Sequence, residues 1–129
     1  MTPNALEQTV IDALEDIKAK DIVVIDVSRM GTLFDTLIIA SGDSNRQTRA
    51  LANNVREKVK EAGHEVLGTE GEQEGEWVVV DLGETVVHIM VPAVRQYYNL
   101  EQLWGETQNM KRVGTLHTTP PMRYDETEQ

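Results

Sequence analysis

The stretch "DTLIIASGDSNRQTRALANNVREKVKEAG", Asp35 to Gly63, decides the fold. Its unbroken apolar start reads as a buried strand, Thr36 to Ala40. A glycine turn follows, and then an amphipathic helix with Leu51, Val55, Val59 and Ala62 on one face. Ser44 begins that helix, and Gln47 three residues on makes a capping box. Gly63 ends it. A helix leaving a strand in this way carries the chain across the sheet, so at least one strand connection is parallel or non-adjacent.

The turn itself, "SGDSNRQ", Ser41 to Gln47, raises a chemical question, because a helix N-terminus after a glycine turn is suited to phosphate. A dinucleotide site needs three spaced glycines, and a P-loop needs Gly-Lys-Ser/Thr. Neither is present. A nucleotidyltransferase pairs a Gly-Ser turn with two carboxylates one residue apart on the next strand. Here the turn reads Ser-Gly, and Asp81 stands alone between Val79 and Gly83. One carboxylate does not make a magnesium pair. The turn therefore reads as a helix cap, with Arg46 and Arg49 left as anion contacts.

Upstream, Leu6, Val10, Leu14 and Ile17 place a helix over 3–19, with Thr2 as its cap and Pro3 at its first position. "DIVVIDV" supplies a strand from Ile22 to Val27. Downstream, "HEVLG" is a short strand, and "TEGEQEGE" is an exposed, mobile loop. "WVVVDL" and "VVHIMVP" form a hairpin through "GET". "AVRQYYNLEQLWG" closes the domain as a turn and a short helix. Residues 106–129, polar and without period, read as a flexible tail after a domain of 1–105. The order α-β-β-α-β-β-β-α predicts an α+β (or α/β) domain, a mixed sheet of about five strands carrying helices.

The chain has 129 residues, enough for one domain with a core. It carries 12 basic and 22 acidic residues, a net charge of −10. Such a body repels nucleic-acid phosphates, so direct nucleic-acid binding is not expected as the main activity. It attracts a basic protein. No apolar run reaches the ~20 residues of a membrane span. No signal peptide is visible, so a cytoplasmic location is expected. There is no cysteine. The three histidines are scattered, and no zinc spacing or nucleophile elbow occurs. No catalytic, cofactor or metal residue is assigned.

The hairpin carries the constellation of interest. With a two-residue Gly83-Glu84 loop, Asp81 faces Val86, Val79 faces His88 and Trp77 faces Met90. These six then share one face of the sheet, whereas a three-residue loop would shift the register and mix the two sets. Val78, Val80, Leu82, Val87, Ile89 and Val91 form the other, aliphatic face, which is the core side. Trp77 and Met90 then stand exposed or beneath a partner, beside Asp81 and His88. Arg95, Tyr97, Tyr98 and Trp104 add the residue types of interface hot spots. Leu100, Leu103 and Trp104 equally suit a final helix packed on the body.

The stretch "EWVVVDLGETVVHIMVPAVRQYYNLEQLWG" resembles the signature of the ribosomal silencing factors, the Iojap family. The likeness rests on Trp77, Asp81, His88, Arg95, Tyr98, Leu100, Glu101, Leu103 and Trp104, and on the Ser-x-Arg-Gln start of the second helix. It implies a nucleotidyltransferase-like fold without the catalytic carboxylates, and no enzyme activity. It implies docking on a basic large-subunit ribosomal protein at the intersubunit face. That would block association of the subunits and repress translation under nutrient limitation. It also implies a homodimer when free, and in organellar relatives a role in large-subunit assembly. In this reading Trp77 and Met90 are apolar anchors, Asp81 and Glu101 accept the partner's Lys or Arg, and His88, Arg95 and Tyr98 orient those groups or contact the partner directly. Leu100 completes the expected partner-binding set.

Overall fold

The first helix begins where its cap allows. In the structure, a computed structural model describing residues 3–104 and 110–113, α1 spans Ala5–Asp16. The expected cap, Thr2, lies outside the described residues. Asn4 caps the helix instead, accepting from the Glu7 N–H at 2.8 Å, while Glu7 Oε1 accepts from the Asn4 N–H at 3.0 Å. This reciprocal pair satisfies two donors that would otherwise lack partners. The buried Glu7 also accepts from the Thr36 hydroxyl.

The remaining elements follow in order. They are β1 (Lys20–Asp26), β2 (Thr36–Ser41), α2 (Asn45–Glu61), β3 (Gly68–Glu70), β4 (Trp77–Asp81), β5 (Thr85–Met90), α3 (Pro92–Tyr98), α4 (Leu100–Trp104) and β6 (Met110–Arg112). The fold class is α+β, with one mixed six-stranded sheet in the order β3-β4-β5-β2-β1-β6. The expected crossover is the parallel pairing of β2 with β5, and the other pairings are antiparallel. The sixth strand lies in the stretch read as tail. The tail reading fails at Met110–Arg112, because backbone bonds to β1 need no side-chain pattern. Residues 114–129 lie outside the described residues.

The hairpin register is the expected one: Asp81 opposes Val86, Val79 opposes His88, and Trp77 opposes Met90. Alternation then divides the sheet into two packed layers. Val78, Val80, Val87 and Ile89 meet the apolar faces of α1 and α2, with Val10, Leu14, Leu51 and Val55 among their buried neighbours. On the opposite face Val23, Ile25, Leu37, Ile39 and Met90 form a second buried cluster with Leu100. β2 is buried along its whole length, as its continuous apolar run requires.

Two local expectations shift. "HEVLG" leaves His64–Leu67 without regular structure, and the strand forms at Gly68–Glu70, where Thr69 pairs with Val80. The end of α2 explains the delay. The Gly63 N–H returns to Lys60 and the His64 N–H to Val59, so the chain is still closing the helix at His64. The loop after β3, expected to be mobile, is tied to α2 by hydrogen bonds. Arg49 donates to the carbonyls of Glu72, Gln73 and Glu74 at 2.9–3.1 Å. Asn45 donates to Glu74 O, and the Thr48 hydroxyl donates to Gly75 O. Arg56 pairs with Glu72.

The loop's tight entry depends on Gly71, with φ +84 and a hypothetical Cβ only 2.1 Å from the Trp77 carbonyl oxygen. Gly71→Ala is expected to lower stability by about 1–3 kcal/mol, read as a drop in the urea midpoint. An unchanged midpoint would show that the loop is not held in this form.

Candidate functional site

The turn at Ser41–Gln47 is used by the fold. Ser44 Oγ accepts from the Gln47 N–H at 3.1 Å. The reciprocal half of the box is displaced: Gln47 Oε1 accepts from Asp43, one residue before the cap, and its amide donates to Ile17 O at 3.0 Å. A Cβ on Gly42 would lie 2.9 Å from Thr48 Cγ2, so the turn is closed by the first turn of α2. Arg49, left as an anion contact by the sequence, is committed to loop carbonyls. Among the described residues no cluster of His, Asp or Glu is placed to hold a metal ion.

The constellation forms on the second face of the sheet. The Trp77 indole N–H donates to His88 Nδ1 at 2.9 Å. The Tyr98 ring rests on Trp77 with centroids 4.8 Å apart, and Tyr97 meets Tyr98 edge-on at 4.9 Å. Both separations fall in the favourable range for aromatic pairs. Tyr97 is 80% exposed and Tyr98 53% exposed. The result is an aromatic ladder that starts half-buried at Trp77 and ends in solvent at Tyr97.

α3 and α4 position this ladder. Pro92 suits the first turn of α3, and Asn99 in the left-handed conformation, φ 48, breaks it from α4. Beneath them Arg95 is buried. Its guanidinium forks onto Glu101 at 3.0 and 3.1 Å and donates to Ser41 Oγ at 2.8 Å. Ser41 closes an apolar strand on the same side as Leu37 and Ile39. Its polarity at that period-2 position is the one signal that marks it.

The expected site residues thus separate. Trp77, His88 and Tyr98 are brought together. Asp81 is exposed at the hairpin end, and its Oδ1 accepts from the Gly83 N–H at 2.9 Å, shaping the turn. Met90 is fully buried, which corrects its reading as an exposed anchor, because α3 and α4 cover the end of the sheet where it sits. Leu100 is buried in the same cluster. Arg95 and Glu101 are engaged with each other, so neither presents a bare charge. Tyr97, noted as a hot-spot type but left out of the expected partner-binding set, is the most exposed ring of the ladder.

An indole N–H only donates, so His88 Nδ1 must be an acceptor and the imidazole neutral. Burial pushes its pKa down to about 4. The unfolded chain titrates near 6.5. Between these values it binds a proton that the folded chain refuses, so falling pH favours unfolding across this window. His88→Gln keeps an acceptor for Trp77 and removes the titration. Its loss of melting temperature from pH 7 to pH 5 is expected to be smaller than the parent's. Equal losses would mean that His88 is not held neutral.

These features define an α+β domain with two packed sheet faces and an aromatic ladder displayed on one of them. The chain belongs to the ribosomal silencing factor family: the family model described as "Ribosomal silencing factor during starvation" matches residues 1–129. It is 53% identical over 109 residues to the ribosomal silencing factor RsfS of Chromobacterium violaceum, covering 84% of this chain and 89% of that one. A crystal structure of a Chromobacterium violaceum protein superposes with a TM-score of 0.78 at 53% identity, over 83% of this chain and 90% of that chain. A mouse protein named "Mitochondrial assembly of ribosomal large subunit protein 1" is 32% identical over 97 residues, 73% of this chain and 42% of that protein.

Proposed function

We propose that this chain binds the large ribosomal subunit through a basic ribosomal protein at the intersubunit face. Bound there, it blocks joining of the small subunit and represses translation under nutrient limitation. Blocking needs occupied volume and affinity, with no reaction. The observation that carries the reading is the exposed Tyr97–Tyr98–Trp77 ladder on a member of the silencing family. Tyrosine and tryptophan anchors supply contact area at low entropic cost. The net charge of −10 favours a basic target. A standard interface of about 1,600 Å² around such anchors gives useful affinity. Exposed Asp81 has a second carboxylate oxygen beyond its turn bond to offer a partner's Lys or Arg.

Sedimentation of the chain with isolated subunits tests the binding half. It is expected to travel with the large subunit and to be released as salt rises. Travel with the small subunit alone, or with neither, would overturn the reading. A role in large-subunit assembly is the second reading, favoured by the mouse relative's name. Depletion of the chain would then accumulate large-subunit precursors. A nucleotide-handling role has less support, since the Ser41–Gln47 turn is filled by its own caps and packing.

A further inference from the structure

We infer that Arg95 is a positioning residue for the interaction face: its buried fork onto Glu101 and Ser41 sets where α3 presents Tyr97 and Tyr98. The inference rests on the silencing reading for its functional consequence, and on geometry for the rest. α3 has seven residues and α4 five. Helices this short do not persist alone in water, because nucleation is costly and few bonds follow it. Their orientation therefore comes from what ties them to the sheet. Val94 and Leu100 provide apolar contact with the second cluster. Such contact is non-directional and leaves rotation of α3 loosely specified.

Arg95 supplies the direction. It precedes Tyr97 by two positions and Tyr98 by three, so its own placement fixes theirs through one turn of helix. Its planar guanidinium meets Glu101 of α4 through Nε and Nη2, and Ser41 of β2 through Nη1. Three elements thus converge on one rigid group. The Asn99 N–H returns to Arg95 O at 2.8 Å, which also ties the helix break to this residue. With the fork in place, Tyr98 lies on Trp77 of β4. Lysine keeps the charge but has no fork to hold all three contacts in one plane.

The test combines affinity for purified large subunits with the Trp77–Tyr98 contact read by NMR. Arg95→Lys is expected to weaken binding by about tenfold or more and to abolish the Trp77–Tyr98 cross-peaks, while far-UV circular dichroism stays that of the folded parent. Glu101→Gln, the milder change, is expected to do the same to a lesser degree. Arg95→Lys is also made in a Tyr98→Ala background. If Arg95 acts through the ladder, it adds little further loss there, whereas a general structural defect would add in full.

Full additivity overturns the inference, as does parental affinity with cross-peaks intact. If the parent chain does not bind large subunits, the silencing reading is overturned. The positioning role is then judged on the cross-peaks of Arg95→Lys alone: their loss supports it and their persistence overturns it. If Arg95→Lys does not fold, Glu101→Gln carries the same comparison.

Discussion

Met90→Ala is expected to cost the fold about 2–5 kcal/mol, the range for truncating a large buried apolar side chain. Met90 has no exposed surface and belongs to the cluster of Leu37, Ile39 and Leu100 beneath α3 and α4. It ends β5 directly beside Ser41 of β2 and Trp77 of β4. A cavity there would loosen the floor on which the aromatic ladder stands. Chemical denaturation should show a lower midpoint with an unchanged slope. Affinity per folded molecule for the large subunit should fall far less than stability does. Parental stability with lost binding would restore Met90 as a surface anchor and contradict the packing described.

Tyr98→Ala is expected to show the opposite pattern. Its ring is 53% exposed, lies tilted against Trp77 and meets Tyr97 edge-on. Losing those ring contacts costs stability on the order of 1 kcal/mol. Binding should weaken by about 2 kcal/mol or more, roughly thirtyfold, if Tyr98 is a hot spot. Titration of labelled protein against large subunits measures this, and Tyr98→Phe separates the ring from the hydroxyl. Undiminished binding by folded Tyr98→Ala would remove the ladder from the interface.

Together the two variants separate what the sequence could not. The alternation of Trp77–Leu82 and Val86–Val91 around one glycine showed a hairpin but left its register between a two- and a three-residue loop, and the pairing of Trp77 with Met90 settles it and with it the two faces of the sheet. The crossover after Thr36–Ala40 was legible: a continuous apolar strand followed by a capped helix has few topologies open to it. What covered the second face was not legible. α3 and α4 are too short for a clear period, so Met90 read as surface although it is core.

The pinned loop was equally hidden. Arg49 reaches its carbonyl partners across 23 to 25 positions, and backbone acceptors leave no mark in the sequence. The strand at Met110–Arg112 is three residues long and held by backbone bonds. The Ser41–Arg95–Glu101 fork joins residues 54 and six positions apart, and only the odd polarity of Ser41 hinted at it.

Light scattering of purified large and small subunits, mixed at raised magnesium after the large subunit has met this chain, tests the central proposal most directly. The rise in scattering should fall in proportion to the protein added and vanish once the large subunits are saturated. Subunits that join to the same extent at saturating protein would contradict it.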